Sequence, residues 1–224
     1  MLAGLLVAGL VGGCGPAPPR ATVTVFAAAS LKKTFTVIGD EFTKANPGTT
    51  IEFSFGGSSD LVTQLTQGAH ADVFASADTA NMDKAAKAGL VAGDPVNFAS
   101  NVLTIVVAPD NPKQITSVAD LARPGLNVVV CAPQVPCGAA TRRIETLTAV
   151  SLTPVSEESS VTDVLNKVTS GQADAGLVYV TDAIGAGDKV PVVAVPEASR
   201  AVNTYPIAVL KGAENAAAAG EFVA

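Results

Sequence analysis

Four places in this chain put a hydroxyl or bare backbone where a strand-like run gives way to a helical one. Ser30 closes VFAAAS, Ser58 and Ser59 follow FGG, Gly138 follows QVPC, and Ser159 and Ser160 precede Val161. A single serine at such a place is an ordinary N-cap, accepting from the unpaired amides of the first turn. Four such starts together suggest more. Each helix N-terminus carries about half a positive charge and several N–H donors, so four offer on the order of two positive charges. That balances a dianion without any Lys or Arg. The small residues fit the same chemistry, because a branched side chain at Ala27 to Ser30, or any side chain at Gly56 and Gly57, holds an ion off the backbone.

Such starts converge only if strands and helices alternate and the strands end at one crevice, as in open α/β sheets. The sequence alternates in this way throughout. Thr22–Phe26 is a β-branched strand, and Leu31, Phe35, Ile38 and Phe42 follow at helical spacing up to NPG. TIEFSF reads as a half-buried strand, SSDLVTQLTQG as a helix stopped by Gly68, ADVFASAD as a strand, NMDKAAKAGL as a helix and VLTIVVAP as a buried strand. A second set follows: helix SVADLARPG, strand LNVVVCAP, helices GAATRRIETL and SSVTDVLNKVTSG, and strands ADAGLVYV, VPVVAVPE and YPIAVL. NAAAAGEFVA opens a helix that the chain cuts short, as a truncated domain does. One phrase repeats: a Ser pair, a helix, a Gly, then Ala-Asp entering a strand, first at SSDLVTQLTQG and again at SSVTDVLNKVTSG. Two similar lobes produce that echo.

Composition narrows the partners. The 224 residues carry 14 Lys and Arg against 20 Asp and Glu, a net charge of −6, which argues against nucleic acid or an anionic membrane surface. There is no Trp, and aromatic residues make up 4%, too few for stacking platforms. At the N-terminus the apolar run Leu2–Val11 suits a signal h-region, although no positively charged segment precedes it. It leads into LVGGC, which resembles a bacterial lipobox with Cys14 as the lipidated residue, and Pro16, Pro18 and Pro19 follow as a stiff tether. The remaining Cys131 and Cys137 form a close pair in a Pro-rich loop, expected to be a disulfide outside the cytoplasm. Their spacing, without nearby His or Cys, is poor for zinc, and no metal site is expected.

The blocks TVTVFAAASL, FGGSSDL, ADVFASAD, VLTIVVAP, GLVYVTDA and YPIAVL together resemble the periplasmic molybdate-binding proteins of ABC importers, across residues 22 to 224 and in family order. The resemblance implies a two-lobed type II periplasmic-binding-protein fold with mostly parallel sheets and crossing hinge strands. Residues 21–103 and 186–224 then form one lobe, 104–185 the other, and 1–20 the signal and tether. It also implies an oxyanion held by neutral donors: Ser30 and Ser58 through hydroxyl and amide, the amides of Cys137 and Val161, and the phenol of Tyr179. Ser58 rather than Ser59 is the expected ligand. Cys137 departs from the small residue usual at its position, which a backbone contact tolerates. The protein implied is a monomeric, membrane-anchored, extracytoplasmic receptor that needs no cofactor and serves an ABC permease.

Chemistry supports that ligand class separately. Molybdate, tungstate and sulfate are fully deprotonated at neutral pH and only accept hydrogen bonds, whereas hydrogen phosphate carries an O–H that wants an acceptor. Asp60 is the nearest acid and is expected to face solvent or its own helix start. Sulfate remains an alternative ligand, and a serine hydrolase is a weaker alternative. The hydrolase lacks a G-x-S-x-G elbow, and the single histidine, His70, reads as a loop residue. An iron site wants clustered tyrosines with acids or His, but Tyr179 and Tyr205 are far apart in sequence, and Tyr205 reads as a crossing-strand residue. Lys32, Lys33, Arg142 and Arg143 read as solvated helix faces or permease-docking charges.

Overall fold

The computed structural model describes residues 21–224. The signal-like run, Cys14 as a lipid site and the Pro-rich tether lie outside the described residues. Along the chain come β1 (Ala21–Ala28), α1 (Lys32–Ala45), β2 (Thr49–Gly56), α2 (Ser58–Thr66), β3 (Val73–Ala75), α3 (Thr79–Lys87) and β4 (Val96–Asn101). A single residue, Val102, leads into β5 (Leu103–Val107), β6 (Val128–Cys131), α4 (Pro136–Thr148), β7 (Ser156–Glu158) and α5 (Val161–Thr169). Then follow β8 (Ala175–Tyr179), α6 (Val180–Ala186), β9 (Val192–Val193), β10 (Asn203–Val209) and α7 (Ala216–Val223).

The strands make two five-stranded sheets, ordered β2-β1-β3-β10-β4 and β7-β6-β8-β5-β9. Each opens with three parallel strands and ends with two antiparallel pairings, so the sheets are mixed rather than mostly parallel. The antiparallel fourth strands are the crossing strands: β5 leaves the first lobe straight after β4, and β10 returns to it. The return comes later than residue 186, because Val192–Val193 still pairs with β5. The first sheet regains the chain at Asn203.

The repeated phrase has a structural equivalent. Both Ala-Asp pairs lead into the third strand of a sheet, β3 or β8. Asp72 accepts the Thr24 amide at 2.7 Å while its own amide donates to the Thr24 carbonyl. Asp174 does the same with Asn127, at 2.8 Å. An acid at the mouth of a parallel pair satisfies an amide that the ladder does not reach.

Core packing corrects two details. Leu31 and Phe35 face inward from the start of α1, but Ile38 is 41% exposed. Gly39 takes the inward place instead, since a Cβ there comes within 2.6 Å of the Phe53 ring. The segment SVADLARPG makes only one 3-10 turn, Ala119–Ala122, because Pro124 pushes Arg123 into an extended conformation.

Cys131 ends β6 and Cys137 is the second residue of α4, and a disulfide joins them. It staples the start of a helix to the strand that feeds it. Loop-closure entropy for so short a loop is about 2 kcal/mol. The Cys131→Ala/Cys137→Ala protein is therefore expected to melt several degrees lower, roughly 2–4 °C per kcal/mol at this size. An unchanged melting temperature in a calorimetric scan removes the stabilising role.

Candidate functional site

The C-terminal ends of β1, β2, β3 and β8 and the starts of α2, α4 and α5 meet around one small cavity. Ser30, Ser58, Cys137, Val161 and Tyr179 all line it, together with Ala28, Ala29, Gly56, Gly57 and Ala77. Its volume is about 10 Å³, whereas pockets for organic ligands run to roughly 300–1,000 Å³. No charged side chain lines it.

Each donor is placed by a local rule. Neither Ser30 nor Ser58 caps its helix, since Ala28 and Gly57 hold the cap positions there. The Ser30 hydroxyl lies 3.1 Å from the Tyr205 phenol, and the Ser58 hydroxyl accepts the Ala77 amide at 3.0 Å. That acceptance leaves the Ser58 proton free to point into the cavity. Ser59 is buried without a hydrogen-bond partner and does not line the cavity. Ser160, by contrast, is a true cap: it accepts the Asp163 amide and donates to the Asp163 carboxylate at 2.7 Å. With α5 held there, Val161 is its first residue and its amide has no intrahelical acceptor. In α4 the first position is Pro136, which has no N–H, so Cys137 supplies the first amide.

Tyr179 ends β8 fully buried, with Asn203 donating to its phenol at 2.7 Å. Burial above all, with Tyr205 and Asp78 nearby, pushes the Tyr179 phenol well above its ordinary value. It stays protonated and able to donate. Burial likewise pushes Tyr205 up. The wall is otherwise small and apolar, and its hydrogen-bonding side chains are the hydroxyls of Ser30, Ser58 and Tyr179, which suits a ligand that only accepts. Asp60 is exposed in the first turn of α2 and does not line the cavity.

Gly57 has a different reason from the one its bareness suggests. A Cβ on Gly57 sits 2.1 Å from the Ser159 carbonyl oxygen. Gly57 belongs to the first lobe and Ser159 to the second, so the missing side chain lets the lobes touch. Two open crevices, about 340 and 440 Å³, flank the cavity, and Ala29 and Lys32 line both.

Among the described residues, neither the Ser30 nor the Ser58 hydroxyl hydrogen-bonds to a histidine or a carboxylate. His70 lies 3.8 Å from Asp72 and 3.9 Å from Glu214, and it is a half-exposed loop residue as expected. Arg142 pairs with Glu145 and Glu157 on an exposed face. Arg143 is exposed on its helix face, and its guanidinium reaches back to donate to the Ala201 carbonyl and to Asn203. Tyr205, Asn203 and Arg143 escape a reading by motif. An Asn before a strand looks like a turn residue, and the second Arg of a pair looks like surface.

Two lobes whose strand ends face one small, neutral, donor-lined cavity define a solute-binding protein of the type II periplasmic class. The chain belongs to the bacterial extracellular solute-binding protein family, whose description matches residues 23–224. It is 59% identical over 234 residues to the molybdate-binding protein ModA of Mycobacterium tuberculosis H37Rv, covering 100% of this chain and 89% of that relative. The ModA of Escherichia coli K12 is 34% identical over 205 residues, 87% and 79% of the two chains. Among solved structures, the periplasmic molybdate-binding protein of Azotobacter vinelandii superposes with a TM-score of 0.77 at 23% identity, over 90% of each chain. The sulfate-binding protein SubI of M. tuberculosis H37Rv gives 0.77 at 21%, over 91% and 80%.

Asp182 generates a pH dependence. Its carboxylate accepts the Tyr179 amide at 3.1 Å, and burial pushes it up to about 7 from 3.8. Below about pH 4 it is neutral in both the folded and unfolded chains; above that, only the unfolded chain ionises it. Its effect is therefore a stability loss that grows as pH rises from about 4 to about 7 and then levels off. Asp182→Asn keeps an acceptor for Tyr179 and removes the titration. Urea unfolding across that range is expected to show a flatter pH slope for the variant, and an identical slope rejects the assignment.

Proposed function

We propose that this protein captures molybdate between its two lobes and passes it to an ABC permease in the membrane. Tungstate, nearly isosteric, is bound as well. The observation that carries the reading is a small cavity whose hydrogen-bonding side chains are all hydroxyls and whose wall holds no charged side chain. Full-length similarity to a molybdate-binding protein supports the same ligand. Ser30 and Ser58 grip the ion from one lobe, and Cys137, Val161 and Tyr179 grip it from the other. A ligand shared by both lobes favours the closed state by its differential affinity, which is the whole mechanism. The protein acts as a monomer without cofactor or catalysis, held at the extracytoplasmic face by a lipid on Cys14.

A thermal-shift panel tests the ligand. Molybdate and tungstate at several hundred times Kd are expected to stabilise the protein by roughly 3–4 kcal/mol. Hydrogen phosphate is expected to do little, because the cavity wall offers no carboxylate to its O–H. A phosphate response equal to that of molybdate overturns the assignment, and a sulfate-only response moves it to another oxyanion.

Closure has its own test at Gly57. Gly57→Ala pushes a methyl against the Ser159 carbonyl oxygen and is expected to weaken molybdate binding by roughly 1–3 kcal/mol, as overpacking does. The ligand-free melting temperature is expected to change less, because the atoms that a Cβ at Gly57 meets, from Ser159 and Val135, all belong to the other lobe. Calorimetric titration with wild-type affinity shows that the contact does not limit closure.

A further inference from the structure

Tyr179 serves an oxyanion only if its O–H points at the ion, since a phenol can equally accept. Something outside the cavity must decide the direction. We infer that Asn203, held in place by Arg143, is the positioning residue that makes Tyr179 a donor toward the cavity and aims the Cys137 amide there too. This rests on the reading of Tyr179 and Cys137 as oxyanion donors.

Asn203 is the first residue of β10, 2% exposed, and it does not line the cavity. Its Nδ2 lies 2.7 Å from the Tyr179 phenol oxygen, 2.9 Å from the Ala77 carbonyl and 3.3 Å from the Pro136 carbonyl. Carbonyl oxygens only accept, so this end of the amide must be the NH2 group. Its Oδ1 receives a hydrogen bond from the Arg143 guanidinium, which only donates. Both ends are therefore fixed, and the amide has one orientation.

The consequence for Tyr179 is directional. Its oxygen accepts a hydrogen bond from Asn203, so its own O–H turns away from Asn203. The remaining directions are the cavity that Tyr179 lines and the neighbouring Tyr205 phenol, which takes the Tyr179 O–H when no ion is present, so an oxyanion in the cavity competes with Tyr205 for that hydrogen bond. The consequence for Cys137 follows from peptide geometry. The Pro136 carbonyl and the Cys137 N–H belong to one planar trans peptide and point in opposite directions. Asn203 has two N–H bonds for three acceptors, so the Pro136 carbonyl, the most distant of them, shares one; that contact keeps the Cys137 N–H, on the other side of the peptide, toward the cavity that Cys137 lines. Ala77 is in the first lobe, Pro136 and Tyr179 in the second. One amide thus ties donor orientation to the contact between lobes. Arg143 adds charge assistance from outside the cavity, strengthening the chain of bonds.

Calorimetric titration with molybdate on four proteins tests this: wild type, Asn203→Ala, Tyr179→Phe and the double variant. A hydrogen bond to a charged ligand implies that Asn203→Ala and Tyr179→Phe each weaken binding by about ten-fold or more. Because Asn203 acts through Tyr179, the double variant is expected to lose clearly less than the product of the two single losses. A residue with only a structural role lowers the ligand-free melting temperature and leaves the two losses multiplicative, which overturns the inference. So does unchanged affinity in Asn203→Ala. Unchanged affinity in Tyr179→Phe alone refutes the reading of the site itself. If Asn203→Ala does not fold, Arg143→Leu replaces it in the same cycle, because losing the guanidinium leaves the Asn203 Oδ1 without its charged donor and loosens the amide's hold on Tyr179. A coupled loss then supports the inference, and a multiplicative or absent one rejects it.

Discussion

The backbone of one lobe approaches the backbone of the other at Gly57 and Ser159, and that contact sets the scale of the cavity. With a side chain at Gly57, the carbonyl of Ser159 has nowhere to go. The strand ends and helix starts on both sides would stand further apart, and the cavity would open toward water. Donors arranged around a small ligand lose value quickly with distance and with solvent access. The proposed site therefore depends on an absence of atoms at one position, and the serines, amides and phenol act only because that position is bare.

A dianion in such a place has to be balanced without a counter-ion. The chain as a whole is negative, with a net charge of −6, and no cation lines the cavity. The balance falls to dipoles: the first turns of α2, α4 and α5, two serine hydroxyls and a phenol that burial keeps protonated. Dipoles fixed by the fold need no reorganisation when an ion arrives. They also discriminate by proton content rather than by charge alone, which a lysine cannot do.

Much of this was legible in the sequence, because it lies in short, contiguous stretches. The strand ends, the small residues after them and the serine starts are local patterns, and Ser30, Ser58, Cys137, Val161 and Tyr179 line one cavity. The repeated Ala-Asp phrase pointed to equivalent strands, and the matching locks of Asp72 and Asp174 give it a physical cause. What stayed hidden depends on residues distant in sequence. Asn203 draws its meaning from Ala77, Pro136, Tyr179 and Arg143, none of them near it in the chain. The inward place of Gly39 comes from a ring on β2 that helical spacing does not register. The late return to the first lobe turns on which sheet the strand at Val192–Val193 joins, and its pairing with β5 is a long-range choice that strand patterning does not register.

The passage from β4 to β5 carries a further consequence. A single residue, Val102, separates the strand that ends in one sheet from the strand that begins in the other, and its carbonyl is held by the Val180 amide. There is no slack at that crossing. Ordering a flexible connector costs roughly 1–2 kcal/mol for every residue whose backbone becomes fixed, and here almost nothing remains to be ordered. In the proposed closure, bending at this crossing involves only a few peptide units already in place, so interactions gained at an ion would go into affinity rather than into freezing a tether there.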